Sequence, residues 1–195
     1  EYWRLKARLG RRPLRQDIYN GVEIQLEIYL QPDGWIGFLS LLGELTPEEI
    51  KWTGTAAQKF LRELERTAMA KSYKIPTIGA FLQDGGMVAE VGLTEIVNSW
   101  RSFYAEPARS KDMERDANSR GWRKWDDARL YRLAEQNPIR FLSQCNRFFE
   151  YDQINKRFRI GEEVQNYLTP LLVDHVADIL AWRTESYFAR RYRTK

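Results

Sequence analysis

The stretch that decides the fold runs from Trp125 to Ile160, WDDARLYRLAEQNPIRFLSQCNRFFEYDQINKRFRI. Its first part has an apolar side supplied by Ala128, Tyr131, Leu133 and Ala134, the spacing of an amphipathic helix that ends before Asn137-Pro138. Asn137 can cap a following helix and Pro138 suits that helix's first position, where the missing N–H costs nothing. In this second helix Ile139, Phe141, Leu142 and Cys145 carry the bulk, while Arg140, Ser143, Gln144 and Arg147 fall largely on the other side. Phe149, Tyr151, Phe158 and Ile160 then alternate with Glu150, Arg157 and Arg159 about a turn at Asp152 to Asn155. A period of two on either side of a turn predicts a β-hairpin, with Lys156, Arg157 and Arg159 on its second strand side.

Helix, turn, short basic helix and cationic hairpin is the order of elements in winged-helix DNA readers. Guanidinium and ammonium groups neutralise phosphates, and a short helix can enter a major groove where Arg, Gln or Asn reads base edges. The same elements can equally form a packed corner of an α-rich domain whose arginines only face water. Both readings predict a mainly α fold, a multi-helix domain with one small β-hairpin, the hairpin belonging to a winged-helix-like unit in the first.

Working outward, the chain has 195 residues, 43% of them hydrophobic, enough for one good core or two small ones. Thirty-one Lys and Arg against 27 Asp and Glu give a mild net charge of +4. The cations cluster at Arg4 to Arg15, Arg120 to Lys124, Arg140 to Arg159 and Arg190 to Lys195, so one face is expected to be more positive than the average. Cys145 is the single cysteine, which excludes an intrachain disulfide; a reducing cytoplasmic setting and a core-packing role for this thiol are expected. The sequence has no long apolar run, so no membrane partner is expected. It starts at Glu1 rather than Met, as a piece of a longer protein would.

Residues 1–45 read as a small helical unit: a basic helix Tyr2 to Leu9, a breaker at Gly10 to Pro13, and helices from Leu14, around Val22 to Leu30, and from Trp35 to Leu42. Val22 to Ile28 also alternates as a strand would; helix is the reading adopted. Residues 46–120 form a helical body. Thr46-Pro47-Glu48-Glu49 is a capping box with Pro at the first position, and Ala56, Ala57, Phe60, Leu61 and Leu64 mark the buried stripe that follows. A helix over Lys71 to Leu82 is interrupted near Pro76 and ends at Asp84-Gly85-Gly86; an extended Met87 to Val91 precedes a helix from Thr94 to Tyr104. Glu106 to Gly121 lacks periodicity and is expected to be a polar connector. Residues 121–195 hold the winged-helix-like unit and a last helix from about Pro170 to Tyr187, with Leu172, Val173, Val176, Ile179, Leu180 and Tyr187 inward.

Two resemblances extend this reading. Leu9-Gly-Arg-Arg-Pro with Gly34-Trp35, Phe38-Leu39 and Leu42-Gly43 resembles the small helical repeat associated with homing endonucleases and some helicases. Phe60 to Thr67 (FLRELERT), Met69 to Phe81 (MAKSYKIPTIGAF), Phe103-Tyr104 with Lys111-Asp112, Gly121-Trp122 with Trp125, Asn137 to Ser143 (NPIRFLS) and Tyr187-Phe188 follow in an order that resembles the C-terminal region of bacterial DEAD/DEAH-box (superfamily II) helicases of the restriction and defence type. This second resemblance spans nearly the whole chain. It implies a non-catalytic domain that helps an ATP-driven helicase core in the same parent chain engage DNA, as duplex or displaced single strand, or docks it to a nuclease or methyltransferase subunit. The motor itself is absent: the sequence has neither a Gly-x-x-x-x-Gly-Lys-Ser/Thr phosphate loop nor an Asp-Glu-x-Asp/His box.

Little else suggests chemistry, and no cofactor or metal is expected. Pro32-Asp33 with Glu49-Ile50-Lys51 matches a loose nuclease pattern, but Glu49 and Lys51 lie in a helix start rather than on a strand. His175 is the only histidine and is expected on the last helix without a special task; Asp174 and Asp178, one turn apart, read as a solvated face meeting Arg183. Trp122, Trp125 and Trp182 suit core packing or base stacking, and Trp35, Trp52 and Tyr104 would be the apolar anchors of a docking module. Arg183, Arg190, Arg191 and Arg193 form a basic tail. The candidate DNA contacts are Arg140, Gln144, Arg147, Lys156 and Arg157 on the hairpin side, with Arg11, Arg12 and Arg15 as a second phosphate site.

Overall fold

The computed structural model describes residues 1–23, 25–31, 33–145 and 147–192. They fold as a mainly α protein with short antiparallel strands. Ile24, Pro32, Asn146 and Arg193 lie outside the described residues, and with them parts of the strand reading at 22–28, of the nuclease-like pattern and of the basic tail.

The chain-order segments 1–45, 46–120 and 121–195 are not how the compact units divide. One unit comprises Glu1–Thr67 with Asp174–Ser186; the other comprises Ala68–Val173 with Tyr187–Lys195. The long last helix supplies residues to both.

In the first unit α1 (Tyr2–Leu9), α2 (Arg15–Gly21) and α4 (Gly34–Leu41) appear where the apolar spacing predicts them, whereas the helix expected around Val22 to Leu30 is cut to the single turn α3 (Leu26–Tyr29), Val22 being extended after the end of α2. Tyr2, Leu5, Ile18, Leu26, Leu30, Trp35 and Leu39 pack with Trp182 into one core. At α5 (Pro47–Trp52) the expected capping box forms: Thr46 Oγ1 accepts from Glu49 N–H and Glu49 Oε2 accepts from Thr46 N–H at 2.7 Å. The buried stripe Ala57, Phe60, Leu61 and Leu64 belongs to a separate helix, α6 (Ala56–Arg66), because Gly54 takes a left-handed φ of 77° between them.

The second unit starts with α7 (Lys74–Gly79), then β1 (Leu82–Gln83) and β2 (Gly86–Met87) paired across Asp84-Gly85. After β3 (Glu90–Val91) come α8 (Leu93–Ala105) and α9 (Pro107–Glu114). α9 corrects the expected connector: Pro107 at its first position starts it and buried Ser110, Asp112 and Met113 hold it. A 3-10 turn at Trp122–Lys124 leads to α10 (Asp127–Ala134), a π-turn (Glu135–Ile139) and α11 (Arg140–Cys145). β4 (Phe149–Asp152) and β5 (Arg157–Ile160) form the predicted hairpin, and β3 adds to β5 as a third strand. α12 (Glu162–Gln165) and α13 (Pro170–Tyr192) complete the chain. Phe81, Phe149 and Phe158 meet at ring distances of 5.2 to 6.0 Å beneath the sheet, and Tyr73, Trp100, Tyr104 and Trp122 form a second aromatic group. Among the described residues no helix is long and apolar enough to cross a membrane.

Candidate nucleic-acid interface

The predicted helix break at Asn137-Pro138 does not occur. Residues 127–145 form one helical run, with Pro138 buried inside it. Proline has no N–H to give the carbonyl four residues back, and its ring crowds that carbonyl. Widening the helix to a π-turn over Glu135–Ile139 makes room, and burial of Leu130, Tyr131, Ala134, Pro138, Ile139 and Leu142 carries the run through.

The widening has a register consequence. Extending the inner stripe of α10 at regular 3.6-residue spacing would place Phe141 and Cys145 on the buried side, as the sequence suggests. The π-turn advances the register by about one residue, so Leu142 turns inward while Phe141 and Cys145 face solvent. Cys145 is therefore an exposed thiol and not a core residue. Ala128, read as apolar packing, is also exposed, and Leu130 takes its place.

Exposed along this run are Arg129, Arg132, Gln136, Asn137, Arg140, Phe141 and Gln144. The intervals 129, 132, 136, 140 and 144 are helical repeats of three and four, so these side chains share a stripe. The carboxylates nearby are engaged elsewhere. Asp126 caps the helix by accepting Arg129 N–H at 2.7 Å, Asp127 takes Arg101 at 2.7 Å, and Glu135 takes Lys156 and the Tyr151 hydroxyl. None of the described carboxylates forms an ion pair with Arg129, Arg132 or Arg140. The Arg129 guanidinium stacks 4.1 Å from the Trp125 ring centre, an arrangement that leaves its N–H edges open.

The hairpin cations differ. Its register sets Phe149 opposite Ile160 and Tyr151 opposite Phe158 on the inner face, hence Glu150 opposite Arg159 and Asp152 opposite Arg157 on the outer one. Glu90 of β3 lies opposite Arg159 and pairs with both Arg159 and, at 3.5 Å, Arg157. Lys156 pairs with Glu135, and Arg147 lies 3.4 Å from Glu163. Burial would raise the Glu135 pKa, but bonds from Lys156 and Tyr151 outweigh it and hold the carboxyl ionised to lower pH. Of the five residues expected here to meet DNA, Arg140 and Gln144 are unengaged, while Arg147, Lys156 and Arg157 hold surface carboxylates. Such exposed pairs are worth about 0–1 kcal/mol and can exchange for a phosphate.

The expected second phosphate site, in the first unit, is mostly spent internally. Arg11 is exposed and forms two bonds to Asp17, at 2.7 and 3.0 Å. Arg12 grips Glu49 with both nitrogens at 2.6 Å. Arg15 is 0% exposed and cannot reach a ligand's phosphate. Its Nε donates to Glu65 Oε1 at 2.8 Å and its Nη1 reaches Asp178 Oδ2 at 3.0 Å and His175 Nδ1 at 3.1 Å.

These cations neutralise carboxylates that cap helices. Asp178 accepts the Arg15 and Gln16 N–H groups at the start of α2, Glu65 accepts Trp35 N–H at the start of α4, and Glu49 closes the capping box of α5. Asp178 is thus buried, correcting the solvated face, although Asp174 is exposed. Arg183 donates to the Glu65 and Thr67 carbonyls rather than meeting Asp178. His175 has the task the sequence did not reveal. Because Arg15 can only donate, Nδ1 must accept, which leaves Nε2–H to donate to Glu49 Oε1 at 2.7 Å. The ring is therefore neutral, and burial pushes its pKa below the ordinary value. Burial would raise the Glu49 pKa, but bonds from His175, Arg12 and Thr46 N–H hold it well below the carboxylate range. With Glu49 so committed, and Asp33 exposed beside Arg62, the nuclease-like residues build no shared site. Gly34 adopts φ 73°, and a Cβ there would lie 2.5 Å from Glu65 Oε2.

No family model, curated protein or solved structure matches this chain. The anchors expected of a docking module are also gone: Trp35, Trp52 and Tyr104 are all buried, as are Trp122 and Trp182. The residues the sequence missed, Arg129, Arg132, Gln136 and Asn137, carried a usable signal in their three- and four-residue spacing. It was hidden by reading Asn137-Pro138 as a boundary.

Proposed function

We propose that this chain binds nucleic acid without catalysing a reaction on it, gripping the phosphate backbone with Arg129, Arg132 and Arg140 of the 127–145 helix, and that it does so as an accessory domain of a DEAD/DEAH-box helicase. One observation carries the contact: a single continuous helix face holds three arginines that form no ion pair with any described carboxylate, although Glu135 lies near enough to Arg132 to feel its charge, interspersed with the amides Gln136, Asn137 and Gln144. Guanidinium groups release counterions from a phosphate chain, and amides reach base edges or sugar oxygens. Lys156, Arg157 and Arg147 act second, after giving up Glu135, Glu90 and Glu163. The helicase setting rests on the sequence resemblance alone.

The test is binding of a fluorescent duplex by the full chain across a salt series. Three phosphate contacts give a slope of roughly −2.7 in log K against log salt, about a 40-fold loss of affinity from 50 to 200 mM. The triple variant Arg129→Ala, Arg132→Ala, Arg140→Ala is expected to lose most of the affinity and flatten the slope while keeping the circular dichroism spectrum. Unchanged binding by the triple variant rejects this face. The motor setting is tested in the gene: a phosphate-loop ATPase in the same reading frame is expected, and a frame without one removes the helicase assignment alone.

A further inference from the structure

We propose that Phe141 is a stacking platform for an unpaired base, so that the ligand of the 127–145 face is single-stranded or locally opened nucleic acid rather than closed duplex. The inference rests on the arginine face just described and names its substrate class.

Phe141 is 50% exposed, whereas every other phenylalanine is buried or half-buried. It has no ring partner among the described residues. Its position is a product of the fold, since a regular helix would bury it and the π-turn turns it out. Its helical neighbours are Asn137 one turn before and Gln144 and Cys145 one turn after, all exposed, with Arg140 adjacent. An aromatic disc ringed by a guanidinium and two amides is poorly matched to an apolar protein groove, which would have to bury those polar groups unpaired. It is well matched to a nucleotide, whose base offers a π-face of the same size, whose edge bonds to amides and whose phosphate pairs with arginine. In a closed duplex the base faces are covered by their neighbours, so only an unpaired base can use the ring.

The experiment compares a 12-nucleotide oligothymidylate, a blunt duplex and a duplex with a single-stranded overhang by fluorescence anisotropy at one salt concentration. The proteins are the full wild-type chain, Phe141→Ala, Phe141→Tyr and the triple arginine variant. Phe141→Ala is expected to weaken the single strand and the overhang about 5- to 150-fold, the range for losing one base–aromatic stack, and to change blunt-duplex affinity less than about twofold. Phe141→Tyr restores binding, which a merely steric role would not require. Wild-type binding that Phe141→Ala leaves unchanged, or weakens equally for all three ligands, overturns this inference and leaves the arginine face standing. Wild type that binds none of them overturns both.

Discussion

Replacing Arg15 by Met tests whether the first unit is held by its buried charges. The substitution keeps much of the side-chain volume and removes a guanidinium that bonds to Glu65 at 2.8 Å, Asp178 at 3.0 Å and His175 at 3.1 Å. The two carboxylates retain their helix N–H donors, Trp35 for Glu65 and Arg15 and Gln16 for Asp178, but lose the cation that balances them. Removing one partner of a buried ion pair costs about 3–5 kcal/mol because the charge left behind is uncompensated. A domain of this size loses about 4–8 °C in melting temperature per kcal/mol, so a fall of roughly 12 °C or more is expected for this unit. Urea unfolding followed by tryptophan fluorescence reads it directly, since Trp35 lies 5.7 Å from the Arg15 guanidinium. Neutralising one stranded carboxylate must recover part of the loss, so Arg15→Met with Glu65→Gln should be less destabilised than the sum of the single variants. Arg11→Ala, which breaks an exposed pair, should cost less than about 1 kcal/mol. An Arg15→Met loss as small as that of Arg11→Ala, or strict additivity with Glu65→Gln, would refute the argument.

Two further outcomes follow from the same network. Burial keeps His175 neutral in the fold, whereas the unfolded chain takes up its proton near pH 6.5, so below that pH the unfolded state holds more protons. The contribution is fully present above about pH 6.5 and declines as pH falls, by up to about 1.4 kcal/mol per pH unit; between pH 6.5 and 5 wild type should lose stability and His175→Gln should show a flatter profile, and parallel profiles would exclude His175 as the titrating group. At Gly34 a methyl group meets both a left-handed φ of 73° and Glu65 Oε2 at 2.5 Å, whereas Gly43 has φ 68° with nothing within 4 Å. Gly43→Ala should therefore cost only the backbone term of about 1–2 kcal/mol, and Gly34→Ala distinctly more in the same unfolding assay; equal losses would show that the glutamate yields freely.

What the sequence made legible was local. The alternation of Phe149, Tyr151, Phe158 and Ile160 and the Thr46–Glu49 capping box each reflect a rule that acts within a few residues, and both appear as expected. What it concealed depends on distant partners. Arg15 and Asp178 are 163 positions apart, so no local pattern distinguishes their buried bond from two solvated charges. Asn137-Pro138 misleads for a related reason: its local preference is to end a helix, but burial of Pro138 and Ile139 offsets the lost backbone bond and a wider turn accommodates the ring. The π-turn, which no local pattern announces, then reverses the faces of the following residues and turns Phe141 and Cys145 outward where regular helical spacing would bury them.

The arginines show why charge density along a chain is a poor guide to the field it presents. Two of the dense runs, Arg11 to Arg15 and Lys156 to Arg159, are met by carboxylates: Asp17, Glu49, Glu65 and Asp178 in one unit, Glu90, Glu135 and Asp152 in the other. Both runs serve the fold, in one case by neutralising helix caps and in the other by matching charges across strands. Arg129, Arg132 and Arg140 are spread over a dozen positions and look unremarkable in order, yet one helix gathers them on a side where Asp126, Asp127 and Glu135 are already taken. A positive field that can act on a ligand is what remains after the protein's own anions have been satisfied, and in the second unit Arg129, Arg132 and Arg140 belong to that remainder, on the helix where the π-turn also exposes an aromatic ring.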